Sequence, residues 1–371
     1  SEKEKEGLPL SGLGIVDSIY EKARAEGNGV QQIKALIYKA KYTSQLDEDG
    51  VVKGIELFEN DLLVATDPVV KSLNHSLLAQ LYSNYFQMHI WEIRDRTKMA
   101  GPTDESITTW SKEDFLGNIR THYLESVKEP FLKTTPILAY LPILTEGNHT
   151  DSLRPFVYDI LAHRAIEYFM NGQADADLVA ESFLINDPLL FSHTDQFVTY
   201  PNNQSEDTIS FGRQIISLFQ DLERFHRHDP LPDAWVDVVK RRLKYMYDHF
   251  IGSEKTQLYE SALNQWIQVF ANTSYAAPFE LSKAQLFETL GRQYQAGSQD
   301  SIYQQYLVKA SALYQGILSK YKNTDEASLA KNQLNELLKP SLDGQVEKVN
   351  LPQKPFRILA GYQNVSKIFI K

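Results

Sequence analysis

Leu258-Tyr259-Glu260-Ser261-Ala262-Leu263-Asn264-Gln265-Trp266-Ile267-Gln268-Val269-Phe270-Ala271-Asn272-Thr273 is answered about fifty residues later by Lys309-Ala310-Ser311-Ala312-Leu313-Tyr314-Gln315-Gly316-Ile317-Leu318-Ser319-Lys320-Tyr321-Lys322-Asn323-Thr324. Leu263, Trp266 and Phe270 fall on Tyr314, Ile317 and Tyr321, and Ala276 falls on Ala327. Apolar residues at this spacing line one face of a helix. A helix, a polar Asn-Thr turn and a helix opening with small residues, repeated, is the pattern of a helical hairpin array. From Leu258 to Leu338 the chain reads as two such pairs. Each hairpin buries one face on its neighbour, so the expected fold is all-α: stacked antiparallel hairpins of tetratricopeptide-like character.

Working outward, the same spacing predicts helices over Leu10–Glu26 and Val30–Leu46, separated by Gly27-Asn28-Gly29. A second hairpin follows, Val52–Ala65 and Pro68–Arg96, with Asp67 placed to cap exposed amides and Pro68 suited to the first turn. Thr97–Thr109 reads as a loop. Ser111-Lys112-Glu113-Asp114 resembles a capping box and opens a helix ending before Pro130. Phe131–Thr145, interrupted by Pro136 and Pro142, reads as short helical turns or a hydrophobic hairpin. Asp151–Met170 reads as one central helix, apolar on more than one face. Asn171–Ser205 is irregular, and long irregular stretches are functional or disordered. Helices resume over Asp207–His228 and Ala234–Phe250. These patterns divide the chain into an N-terminal helical lobe (1–200), a C-terminal helical-repeat lobe (201–340) and a closing segment (341–371). In that last segment the period changes from helical to alternating. Phe356–Tyr362 and Val365–Lys371 read as two strands joined at Gln363-Asn364, a short hairpin that reads as the opening of a further domain.

The totals narrow the function. The 371 residues carry a net charge of −10, which repels polyanions and argues against nucleic acid. There is no apolar run of membrane-span length. With zero cysteines, disulfides, thiolate metal sites and cysteine nucleophiles are absent from this chain. No Gly-rich phosphate loop, His-Glu-x-x-His zinc motif or nucleophile elbow appears.

Three groups of residues are candidates for chemistry. His226-Arg227-His228-Asp229 could supply zinc ligands from a loop. On a helix the two histidines diverge by about 200°, and the plainer reading is a polar helix end near the negative dipole terminus. His163 lies four residues after Asp159, so the two share a face and could form a general-base dyad; a buried, hydrogen-bonded structural histidine is the alternative. His75, His89 and His122 lack metal-type spacing. Tyr294, Tyr303 and Tyr306, near a Gln-rich turn, could line a binding groove or simply pack between helices. These patterns point to no catalytic, cofactor-binding or metal residues, and leave Tyr294, Tyr303 and Tyr306 as a candidate groove.

Val346-Glu347-Lys348-Val349-Asn350-Leu351-Pro352 with Pro355-Phe356, and Tyr362-Gln363-Asn364-Val365-Ser366-Lys367, carry a resemblance. Gln32-Ile33-Lys34-Ala35-Leu36-Ile37-Tyr38-Lys39 and the stretch Leu153–Ala165 support it. The order of features resembles the N-terminal helical region of the very large alpha-2-macroglobulin-like proteins of Bacteroidetes. The resemblance implies an exported protein of the periplasm or cell envelope, whose full form would be a protease trap. The Cys-containing thioester element of that family is absent here, so the trapping chemistry does not carry over to these residues. It implies a non-catalytic interaction or spacer module, without cofactor, partnered by adjacent macroglobulin domains or by another protein. The competing expectation is a free-standing outer-membrane helical-repeat lipoprotein that binds glycan or peptide. An enzyme using His163 or His226 is the third.

Overall fold

In a computed structural model the chain is mostly helical, with a two-stranded antiparallel sheet near its C-terminus. The structure describes residues 9–47, 49–96, 106–145, 147, 150–177, 183–202, 211–294, 303–346 and 355–369. Two compact units emerge. One holds residues 1–242 and 249–251, the other 243–248 and 252–371. Among the described residues no helix is long and apolar enough to cross a membrane.

The first unit opens with α1 (Pro9–Ala25), α2 (Gly29–Leu46), α3 (Gly50–Val64), α4 (Pro68–Met88) and the short α5 (Ile90–Ile93). Helix boundaries follow local chemistry. Gly27 takes a φ of 67°, a left-handed conformation that ends α1 without a Cβ penalty. Asn28 then accepts from the Gln31 amide at 3.1 Å and caps α2. Asp67 accepts from the amides of Val69 and Val70 at 2.8 and 3.0 Å. At Gly50 an added Cβ would lie 2.4 Å from the Thr43 carbonyl oxygen, so only glycine permits this close passage between α2 and α3. Successive helices pack on each other in order, with Ile33, Ile55 and Phe58 in the seams.

Helix α6 (Lys112–Glu125) begins at a full capping box, Ser111 with Asp114, as its sequence suggests. It packs against α4 through Phe115 and Ile119, both fully buried. The stretch after it resolves into 3₁₀ turns, Pro130–Lys133 and Ile137–Ile143. The expected continuous helix over Asp151–Met170 is broken. A short α7 (Thr150–Leu153) is followed by α8 (Val157–Asp177). Pro155 has no amide to donate and disfavours helical geometry at Arg154. The freed backbone pairs sideways instead: Ile137 N donates to Pro155 O at 2.9 Å and Val157 N to Thr135 O at 3.0 Å. Asp159 restarts the helix by accepting from the Phe156 amide at 2.9 Å.

Next come a 3₁₀ turn (Pro188–Phe191), α9 (Thr194–Phe197), α10 (Phe211–His226) and α11 (Asp233–His249). The expected break near residue 200 does not coincide with the division of the chain, which falls within and just after α11. The reason lies in hydrogen bonding. Arg242, fully buried, donates to the carbonyls of Leu190 and Ser192 at 2.7 and 3.1 Å and to Glu223 at 2.5 Å. Gln220 donates to the carbonyls of Phe197 and Tyr200 at 2.8 and 2.9 Å. Residues 183–202, which hold only the short turn and α9, are thus fastened to α10 and α11 by side chains that serve the carbonyls of Leu190, Ser192, Phe197 and Tyr200.

The second unit contains α12 (Lys255–Val269), a 3₁₀ turn (Ser274–Ala276), α13 (Ala277–Gly291), α14 (Tyr306–Lys320) and α15 (Asp325–Leu338). The sequence repeat is reproduced in the backbone. Asn272 and Asn323 adopt φ of 67° and 68°, each ending its helix in the left-handed region. The following Thr273 and Thr324 return to extended backbone, and their hydroxyls donate to Phe270 O at 2.8 Å and Tyr321 O at 3.0 Å. Leu263, Trp266, Tyr314 and Ile317 are all fully buried.

The chain then forms β1 (Ser341–Val346) and β2 (Ile358–Gln363), antiparallel, with Ser341 opposite Gln363 and Val346 opposite Ile358. This corrects the expected hairpin. Phe356–Tyr362 does contribute a strand, but its partner is β1, while described residues 365–369 form none. Gln363-Asn364 is not a hairpin turn: both side chains donate to the Leu337 carbonyl, at 3.1 and 2.8 Å, closing the C-terminus of α15. Residues 347–354, 370 and 371, the resemblance residues Glu347–Pro352 among them, lie outside the described part, as do 1–8 and 97–105.

Candidate functional site

The two candidate histidine sites meet in the first unit, with exchanged partners. Helix α8 carries Asp159 and His163, and α10 ends at His226. His226 donates from Nε2 to Asp159 Oδ1 at 2.7 Å and from Nδ1 to Asp229 Oδ2 at 2.6 Å. Its side chain is 1% exposed and that of Asp159 is 0% exposed, so this contact is shielded from water. Burial opposes a charge on the ring, but the hydrogen bonds and charges of Asp159 and Asp229 outweigh it and hold the pKa above the ordinary value. The site therefore favours the protonated form of His226, held between two carboxylates.

His163 does not pair with Asp159. Its Nδ1 accepts from the Arg241 guanidinium at 2.8 Å. Burial, then the positive charges of Arg154, Arg241 and His226, push its pKa well below the usual value. The ring is a neutral acceptor. Arg154 in turn pairs with Asp237 at 2.6 Å. The carboxylate of Asp159 is thus committed to His226 and to the Phe156 amide, and the dyad that spacing allowed does not form. His228 is exposed and directed away from buried His226, so the His-x-His pair does not converge. Among the described residues no group of three or more His, Asp or Glu is arranged to hold a metal ion.

His75 on α4 and His122 on α6 contact through their Nδ1 atoms at 2.9 Å, so one donates and the other accepts. Burial lowers both pKa values, that of His122 to about 4 with a further contribution from His75. His89 lies at the end of α4, 3.4 Å from Glu92.

In the second unit Tyr303 and Tyr306 are neighbours, with ring centroids 6.0 Å apart. Tyr306 stands edge-on to Phe287 at 5.1 Å and lies under Lys309 at 4.7 Å. Both are half-buried, as is Tyr294. Residues 295–302, which hold most of the Gln-rich turn between them, lie outside the described residues.

Two features escaped the sequence reading. The first is a cavity of about 430 Å³ in the first unit, between α4, α6 and α8. Phe86, Leu116 and Tyr123 form its floor with Arg164; Gln80, Gln87, Glu167 and Asn171 stand at its exposed rim. Arg164 Nε donates to Ser76 Oγ at 3.0 Å, and its guanidinium forms no ion pair among the described residues. Tyr168 stacks on Tyr123 at 4.8 Å as part of the wall. No local pattern foretells such a cavity, because its residues come from three helices. The second is the surface of the strand pair. Every residue of β1 and β2 is exposed, including Leu342 (56%), Leu359 (69%) and Tyr362 (65%).

Searches with this chain against known protein families, curated proteins and solved structures return no match.

Proposed function

We propose that the chain is a non-catalytic interaction or spacer module, a tetratricopeptide-like helical array at the N-terminal end of a large alpha-2-macroglobulin-like protein of the cell envelope. One observation carries the reading: the strand pair β1–β2, exposed and apolar, fixed on the last helix by Gln363 and Asn364. A two-stranded sheet is marginal alone. Leu342, Val346, Ile358 and Leu359 gain most from being covered by further β-structure, whose strands also satisfy the open edges. A macroglobulin-like sandwich of the same polypeptide is the occupant that the sequence resemblance supplies. The commitment of His163, Asp159 and His226 to buried hydrogen-bond partners favours a structural role for these residues.

The test is hydrogen exchange at the amides of β1 and β2. It is measured in this chain and in the whole gene product. Protection confined to the larger protein supports the module. A gene that encodes no β-sandwich after this region, or strand amides that exchange equally in both, overturns it.

A further inference from the structure

We infer that the cavity between α4, α6 and α8 is a binding site for the carboxylate of a small hydrophilic molecule. The inference is independent of the strand pair, which belongs to the other unit. Its starting point is an unspent cation. Arg164 is half-buried on the cavity floor, and its Nε is fixed by Ser76. The two terminal nitrogens of the guanidinium have no carboxylate or carbonyl partner among the described residues. Two other guanidinium groups of this unit are paired with carboxylates: Arg154 with Asp237, and Arg242 with Glu223. An arginine whose fork is oriented from behind and open in front matches the two oxygens of a carboxylate.

A second donor points the same way. Tyr123 is 2% exposed, lines the cavity, and its hydroxyl has no hydrogen-bond partner among the described residues. Burial holds that hydroxyl protonated, with a pKa of about 12. The ring is buried while its hydroxyl opens on the cavity, free to donate to a molecule seated there. Arg164 therefore presents only donors, and Tyr123 a hydroxyl able to donate, to whatever sits on the floor.

The rim selects for a hydrophilic remainder. Gln87 and Asn171 are exposed amides able both to donate and to accept, and Glu167 accepts. A fatty acid is disfavoured by this rim. A polyphosphate is disfavoured by the single cation and by Glu167. The volume of about 430 Å³ lies within the range of small-ligand sites and exceeds what a bare carboxylate needs. Two sources share the chemistry: an acidic sugar, whose hydroxyls would meet the amides, and a short peptide C-terminus, whose ammonium would meet Glu167.

The experiment is ligand-observed saturation-transfer NMR on the full chain. The probes are glucuronate and alanyl-alanine, each beside a counterpart that lacks the carboxylate, glucose and alanyl-alanine amide. A carboxylate probe should bind at millimolar concentration while its counterpart does not; which carboxylate binds identifies the source. Arg164→Gln should weaken binding roughly tenfold or more, the scale of a charge-assisted pair. Tyr123→Phe removes only the hydroxyl, so it tests the floor even if the arginine variant fails to fold; it should weaken binding several-fold. Failure of both acids to bind overturns the proposal. So does equal binding of the carboxylate probes and their counterparts, or binding unchanged in a folded variant.

Discussion

The two units of this chain are held together by different means. The first is stitched by buried polar groups. Asp61, 2% exposed, accepts from Tyr20, Gln32 and Asn74 and so ties together α1, α2, α3 and α4. Glu223 grips Arg242, and His226 bridges two carboxylates. The second relies on an apolar seam, Leu263, Trp266, Tyr314 and Ile317, punctuated by two matching asparagine turns. Its buried carboxylates meet tyrosine hydroxyls: Glu280 accepts from Tyr321 at 2.9 Å and Glu288 from Tyr314 at 2.8 Å. All nine histidines fall at or before His249, and every one belongs to the first unit. The contrast teaches that one half of the molecule should respond to mild acid and base and the other should not.

The sharpest way to break this contrast is to remove one member of a buried ion pair. Asp159→Asn leaves the imidazolium of His226 with a single carboxylate in a dry site. It should destabilise the first unit by about 3–5 kcal/mol, the cost of stranding a buried charge. Urea unfolding at pH 6 checks this, and the second unit should be unaffected.

The pH dependence comes next, with two opposite signs in the first unit. His226 has a raised pKa in the folded state, so the folded protein binds the extra proton. Its stabilisation is complete below the unfolded pKa of about 6.5 and is lost as pH rises through the higher folded value. His75, His122 and His163 have lowered values, so the unfolded chain binds the extra protons. Their contribution falls as pH drops from about 6.5 towards the folded value, about 4 for His122. The first unit should therefore be most stable near pH 6.5 and lose stability on both sides, at up to about 1.4 kcal/mol per pH unit for each proton. The second unit should stay flat from about pH 5.5 to 8, since it has no group of ordinary pKa in that window. His122→Phe should lessen the loss on the acid side, where His75 and His163 still contribute, and leave the alkaline side unchanged. Calorimetric scans across this range resolve the two behaviours.

Smaller effects sharpen the picture of the second unit. Asn272→Ala and Asn323→Ala each force a Cβ without a local polar compensation into the left-handed region. Each should cost about 1 kcal/mol, and the glycine variants should cost little. The smallest expected difference separates the two copies of the repeat. Thr324 caps α15 by accepting from the Ala327 amide at 3.2 Å, whereas Thr273 makes no such cap. Thr324→Ala should cost about 1 kcal/mol and Thr273→Ala distinctly less, measured by thermal unfolding.

Helix positions were legible because they depend on neighbours in sequence: the Asp67 and Ser111 caps, the Gly27 stop and the Asn-Thr turns all act within a few residues. The pairing of Asp159 with His226 was not legible. The spacing of Asp159 and His163 offered a nearer partner, and only the packing of α10 on α8 decides between them. The break at Pro155 was present in the sequence but outweighed there by the apolar run around it. The strand partner was hidden for a similar reason. Val365–Phe369 alternates more convincingly than Ser341–Val346, yet Asn364, at a φ of 53°, is spent on the end of α15. The floor of the cavity could not be read at all, since Arg164 and Tyr123 come together only once three helices are in place.

The open strands also make concentration a variable of the molecule. Edge backbone beside Leu342, Leu359 and Tyr362 can be completed by a second copy of the same edge as readily as by any other sheet. Solutions of this chain should scatter increasingly as they are concentrated, and a charged residue in place of Leu359 should keep them clear.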